Sequence, residues 1–339
     1  MRLPSLVLLL GVCTGSCNKT GRKEVTATAT PCVELSVLPA PIPERLHAVF
    51  FINGRKGFVA GEQGGIYKTS DSAKSWTPLH PGIALPVRSL FFLDAQTGFA
   101  AGGQNACSGS GCEPPGGFIL RTTDGGQTWE NVYTPAQKIE ITSIYFVTAL
   151  KGFCAGNDVI LKTSDGGQSW SEYKVPGLHG NMMQIRFAGP QKGYIACLSD
   201  KVILTEDGGT TWQVTSPQRN AGYYAVSEAN GSTYLSGQGK ILKSTDGGAS
   251  WVDLANAPAD IYDLHFRDAE KGFAFGRGNY SGGDFGRNYG SVYCTEDGGS
   301  TWTGTAEITE TGLIQAVHFP ADDIGYAISG PKVVRIRRK

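Results

Sequence analysis

The sequence predicts an all-β chain: a seven-bladed β-propeller of four-stranded antiparallel blades, its ring closed by an N-terminal strand that completes the last blade. Three observations predict this. The phrase TTDGGQTW at residues 122–129 recurs as TSDGGQSW, TEDGGTTW, STDGGASW and TEDGGSTW, with a looser first copy, TSDSAKSW. A second phrase lies upstream of most copies, an apolar pair ending in an aromatic, a polar turn, then Gly-aromatic: FFINGRKGFVAG, FFLDAQTGFAAG, YFVTALKGFCAG, RFAGPQKGYIAC and HFRDAEKGFAFG. The 47 glycines and 17 prolines punctuate short apolar runs, as tight turns between strands require, and helix-length patterns are few.

In chain order, the N-terminus is set aside first. MRLPSLVLLLGVCTGSC carries an early arginine, an apolar run from Leu6 to Val12 and small residues before Cys17. That is the layout of an export signal over 1–16. The run is far shorter than the roughly 20 residues that span a bilayer, so a membrane helix is not expected. The small-small-Cys ending resembles a bacterial lipoprotein signal, which implies a lipidated Cys17 followed by a polar tether over 17–31, the protein meeting the membrane through that anchor only; the alternative is a plain secreted protein. The propeller occupies 32–339.

The box tryptophans Trp76, Trp129, Trp170, Trp212, Trp251 and Trp302 account for all six tryptophans and stand 53, 41, 42, 39 and 51 residues apart. Four short strands in about 40 residues is the period of a propeller blade. A seventh blade has three strands, within IQAVHFPADDIGYAISGPKVVRIRR, and borrows its fourth from VELSVLP at 33–39. The fifth blade is the weakest, because AGYYAVSEANGSTYLSG has lost the Gly-aromatic phrase.

The box aspartates Asp71, Asp124, Asp165, Asp207, Asp246 and Asp297 read as turn staples. One carboxylate per box is too few for calcium, and a phosphate loop needs a helix after its glycines. Six copies spread around a ring cannot converge on one substrate. The aspartate accepts turn N–H groups, the glycines adopt positive φ, and the tryptophan packs between sheets. TSDSAKSW lacks both glycines, so it is expected to be the most strained or differently turned copy. Losing a buried box tryptophan should cost roughly 3–5 kcal/mol.

The other face should carry the site. Its loops are longest at Gly102–Gly117 and Gly276–Gly290, and long loops in a repeat protein are functional or slack. The second loop brings Arg277, Tyr280, Asp284, Arg287 and Tyr289. The second residue of each inner strand, His47, Arg88, Thr142, Met183, Tyr224, Tyr262 and Gln315, should ring the channel mouth. Arg88, Arg219, Arg277 and Arg287 could form a basic patch there. Candidate partner contacts are therefore Arg88, Arg219, Tyr262, Arg277, Tyr280, Asp284, Arg287 and Tyr289.

Of the eight cysteines, Cys107 and Cys112 lie in one Gly/Ser loop and read as a local disulfide in an exported chain. Cys154, Cys197 and Cys294 sit in strands and read as buried thiols, with Cys32 able to pair with one of them near the closure. The histidines are scattered, and His265 and His318 should pack between blades. No metal site or cofactor is expected.

The boxes resemble the Asp-box, or BNR, repeats of sialidase-like propellers. Their spacing, with the GF-AG phrase, resembles the photosystem II assembly and stability factor family of seven-bladed propellers, over residues 33–339. That resemblance implies a protein that binds and assists an envelope or membrane protein, and is not an enzyme. It implies nothing about photosynthesis. The alternatives are a glycan-binding propeller or a sialidase-like glycoside hydrolase. A sialidase needs three arginines on the substrate carboxylate, an Arg-Ile-Pro phrase and a Tyr-Glu pair; only Arg335-Ile336-Arg337 comes near that phrase. Equal numbers of acidic and basic residues, 30 each, leave no global field to draw nucleic acid, and no nucleic-acid partner is expected.

Overall fold

The computed structural model describes residues 32–39, 42–104, 116–135, 139–178, 180–217, 221–277, 290–304 and 312–339, all within the unit Pro31–Lys339. Twenty-eight strands form seven four-stranded antiparallel sheets, and no helix occurs among the described residues. Six blades run in chain order. The seventh has the order Val33–Leu38, Lys332–Arg338, Ile324–Ser329, Ala316–Ala321, so the N-terminal strand supplies its outer edge. Each first strand lies inward and touches those of the two neighbouring blades, closing the ring.

Seven hydrophobic clusters fill the seven seams between blades. The paired sequence phrases explain how. The aromatic after the glycine stacks on the sixth residue of the next blade's inner strand. Phe58 lies 3.9 Å from Phe92, Phe99 4.4 Å from Phe146, Phe153 4.9 Å from Phe187 and Tyr326 3.5 Å from Phe51, all near parallel. The glycine is required because that sixth-position ring lies across its own hairpin: a Cβ on Gly57 would stand 2.5 Å from the Phe51 ring. Blade five loses both partners together. Glu228 replaces the ring and pairs with Thr233 where a glycine would otherwise stand, so the seam between blades four and five has no such stack.

Gly57→Ala is therefore expected to destabilise the fold by about 1–3 kcal/mol through overpacking. Gly116→Ala, where a Cβ meets nothing within 4 Å, should leave stability unchanged. Urea midpoints of the two variants check the contrast.

Inner strands expose an unpaired edge to the channel, and side chains of the preceding blade satisfy it. The N–H of Ile144 donates to Ser89 Oγ (3.1 Å), that of Val226 to Gln184 Oε1 (2.9 Å) and that of Val317 to Asp263 Oδ2 (2.9 Å).

The boxes are staples. In the second, Thr128 N–H and hydroxyl donate to Asp124 at 2.9 Å and 2.6 Å, and Gly126 N–H donates to Thr122 Oγ1 at 2.9 Å. The glycine pairs all have positive φ, and the first box reaches the same turn without them: Ser72 stands at φ 66° and Ala73 at 62°. That copy is strained rather than differently turned. Ser72 Oγ donates to Gly54 O (2.8 Å) and Ala73 is buried in the seam between blades seven and one, which hold it there. Five of the six tryptophans pack edge-on to the sixth-position phenylalanine of their own blade, as Trp129 does to Phe92 at 6.2 Å; Trp251, in blade five, has no such ring to meet. Of the six only Trp212 is buried, at 6% exposed, so the cavity cost applies most nearly there and a smaller one at the other five.

One cysteine expectation is corrected. Cys294 is not a buried thiol but the one of the three strand cysteines with which Cys32 pairs near the closure: the two form a disulfide at the root of the closing strand. Both residues belong to the seam between blades six and seven, where ring closure delivers the N-terminal strand. Cys154 and Cys197 are free and buried; burial pushes the Cys197 thiol up to about 12. Cys17, Cys107 and Cys112 lie outside the described residues.

Candidate functional site

A β-bulge follows the first residue of the inner strand in each of blades one to six, with register shifts such as Leu46/Ala48, Val87/Ser89 and Ile261/Asp263. The extra residue is the second one in every case. A bulge re-aims its side chain, and here it turns His47, Arg88, Thr142, Met183, Tyr224 and Tyr262 onto one cavity of about 560 Å³, which Gln315 completes from blade seven. The predicted ring is thus present.

The mouth is uneven. On one side Arg88 Nε donates to Glu140 Oε1 at 2.5 Å, and Arg88 Nη1 and Glu62 Oε2 each lie 3.0 Å from His47 Nε2. Burial, then the Arg88 guanidinium, holds the His47 pKa below its ordinary value despite Glu62. Nε2 is placed to donate to Glu62 or to accept from Arg88. On the other side the Tyr224 and Tyr262 rings stack 4.9 Å apart. Burial, with Tyr224 and Asp260 adding, raises the Tyr262 phenol against the pull of Arg277.

Below the mouth, the fifth residues of the inner strands form an aromatic girdle: Phe50 lies 5.4 Å from Phe91, and Phe91 5.5 Å from Tyr145. Arg186 stands over Tyr145 and donates to Ile185 O at 2.8 Å. Buried Asp263 accepts from Gln184 Nε2 (3.2 Å) and from the Leu264 and Val317 N–H groups (both 2.9 Å). Its carboxyl is raised by burial, opposed by Arg186. His265 stacks on Phe319 and His318 lies tilted against Phe50, with ring centroids 4.2 Å apart, packing between blades as expected.

These two histidines and the boxes set the acid response. Burial lowers His265 to about 4 and His318 to about 3. Between pH 6.5 and these values only the unfolded chain binds the protons, so stability falls as pH falls, by about 1.4 kcal/mol per unit for each histidine. Hydroxyl and backbone donors lower Asp124 and Asp246 to about 2. Their contribution is full above about 3.8 and is lost as pH falls toward 2. Urea midpoints should therefore decline in two stages, from pH 6.5 and again below 4. A midpoint constant from pH 7 to 4 would contradict the buried histidines.

Of the candidate partner contacts, Arg88 and Tyr262 line the cavity, and Arg277 is exposed at the end of the blade-six strand Gly272–Arg277. Arg219, Tyr280, Asp284, Arg287 and Tyr289 lie outside the described residues. The basic-patch expectation needs correction at Arg88, whose charge is neutralised by Glu140. Among the described residues only Arg88 and Arg186 of the arginines line the cavity, so a three-arginine carboxylate grip is not assembled within it. No group of three or more His, Cys, Asp or Glu among the described residues is arranged to hold a metal ion. Sequence reading missed Glu62, Glu140, Arg186 and Asp263. The last two do occupy inner-strand positions, and that register was the available signal.

The pattern of the family described as Photosynthesis system II assembly factor YCF48 matches residues 115–215 and 176–255, from the third strand of blade two to the end of blade five. Over that stretch the chain resembles this family. A solved structure described as YCF48 bound to D1 peptide superposes with a TM-score of 0.70 at 19% identity, covering 91% of this chain and 98% of that one. YCF48 from Cyanidioschyzon merolae gives 0.68 at 14%, covering 89% and 98%. The GH74 xyloglucanase from Xanthomonas campestris gives 0.67 at 14%, covering 90% of this chain and 54% of the enzyme. At such identities the likeness establishes the propeller and nothing finer. No curated protein sequence matches the chain.

Proposed function

We propose that this YCF48-like propeller is a non-enzymatic binding protein that assists assembly or stability of an envelope or membrane protein. The observation that carries this reading is the convergence of the bulge side chains on one open cavity, in which Arg88 and Glu140 are committed to each other rather than poised for acid–base chemistry. A similar propeller is described as binding a D1 peptide, which supports a protein partner. Export and a lipid anchor at Cys17 are part of the proposal, and the Cys32–Cys294 disulfide suits an oxidising compartment.

The test is capture from detergent-solubilised membranes by the full chain and by an Arg88→Ala/Tyr262→Ala variant. The full chain should retain a defined membrane protein that the variant loses; equal capture by both removes the mouth from the site. Hydrolysis of xyloglucan or sialosides by the purified chain would refute the non-enzymatic reading. Lipid labelling should disappear in Cys17→Ser.

A further inference from the structure

We propose that the channel mouth selects an uncharged apolar or aromatic side chain from an extended segment of the partner, seated on the Tyr224–Tyr262 wall; this rests on the binding reading above. The first ground is charge. Two arginines, Arg88 and Arg186, and two carboxylates, Glu140 and Asp263, line the cavity, so its formal charge cancels. Arg88 and Glu140 already neutralise each other at 2.5 Å, and the Asp263 carboxylate is filled by three N–H donors. A basic ligand would have to break these contacts to gain a counter-charge, and an acidic one would have to reach past the mouth to Arg186, which stands over Tyr145 in the girdle below; a charge held at the mouth without a partner is costly. A neutral group meets no such cost.

The second ground is the wall itself. Met183, Leu198, Tyr224, Tyr262 and Leu313 all line the cavity. Leu198 is 40% exposed, one of three large hydrophobics exposed among the described residues. An apolar surface left open beside neutralised charges is the pattern of a binding patch. Stacked tyrosines are rigid, and each presents an apolar ring with a polar tip. The cavity, about 560 Å³, has the size of a small-ligand pocket. It admits a side chain or two and excludes a folded surface, which is why the occupant is an extended segment. Arg277 stands outside this lining, so it can contact the flanks of such a segment without changing what the mouth accepts.

The test selects a random displayed nonapeptide library on the immobilised full chain, then measures the affinity of the enriched peptides. Enrichment of Trp, Phe, Leu or Met is expected, with Kd changing less than about threefold between about 0.05 and 0.5 M NaCl. Tyr224→Ser/Tyr262→Ser should weaken binding about tenfold or more. Both tyrosines are half-buried at the rim, and an unchanged urea midpoint would show that variant to be folded. Enrichment of Asp or Glu, with affinity falling steeply as salt rises, would overturn the inference and leave the protein-binding reading standing. Enrichment that survives the double substitution would overturn it as well. If no peptide is enriched, the inference fails, and if capture from membranes also fails, the binding reading fails with it.

Discussion

Cys294→Ser, or reduction of the Cys32–Cys294 bond, is expected to lower stability by up to about 5 kcal/mol. The bond joins residues 262 apart in sequence, so in the unfolded chain it closes a loop around almost the whole propeller. Loop-closure entropy grows with length, and few disulfides could restrict the unfolded state more. The bond also ties down a strand at the edge of its sheet. The closing strand Val33–Leu38 pairs through its ladder with Lys332–Arg338 alone, at the outer edge of blade seven. Without the bond, that strand should fray first and expose the edge of Lys332–Arg338. Urea unfolding with and without reductant measures the loss, and limited proteolysis should release the N-terminal strand before the blades open. An unchanged midpoint on reduction would show that strand pairing alone closes the ring.

Phe92→Ala is expected to cost about 3–5 kcal/mol. Phe92 is 5% exposed, stacks on Phe58 at 3.9 Å across the seam and receives Trp129 edge-on at 6.2 Å. Its removal empties the centre of the cluster between blades one and two. A closed ring cannot relax one seam without moving the others, so the cavity should stay largely open and the cost should lie toward the upper end. Calorimetry or urea unfolding checks it; a loss below 1 kcal/mol would mean that the seam collapses around the gap. The seam between blades four and five, where Glu228 stands in place of that ring, shows that the ring tolerates one such gap in seven.

The blade count, the closing strand and the staple role of Asp124 or Asp207 were all legible because they are local. A turn needs its aspartate, glycines and hydroxyl within eight residues, and a repeat shows itself by recurrence. The ring from His47 to Gln315 was legible for a related reason, since equivalent positions in repeated blades must converge on one axis. The link between Gly57 and Phe51 could be seen as a phrase but not explained, because the explanation is a ring lying across a hairpin.

The chemistry of the mouth was decided elsewhere. Arg88 reads as a free cation until Glu140, 52 residues away, is found against it. Cys294 reads as a strand thiol until the chain ends meet beside it. Asp263 reads as one polar residue in a strand until it is seen accepting a backbone N–H from the next blade. The sequence by itself determined the blades, their number and the ring of residues at the channel mouth, because strand, turn and repeat are short-range properties of the chain. Which charges cancel, which cysteines join and which wall stays open were decided only when closure of the ring brought distant residues together, and the energy of those contacts depends on partners that no local pattern names.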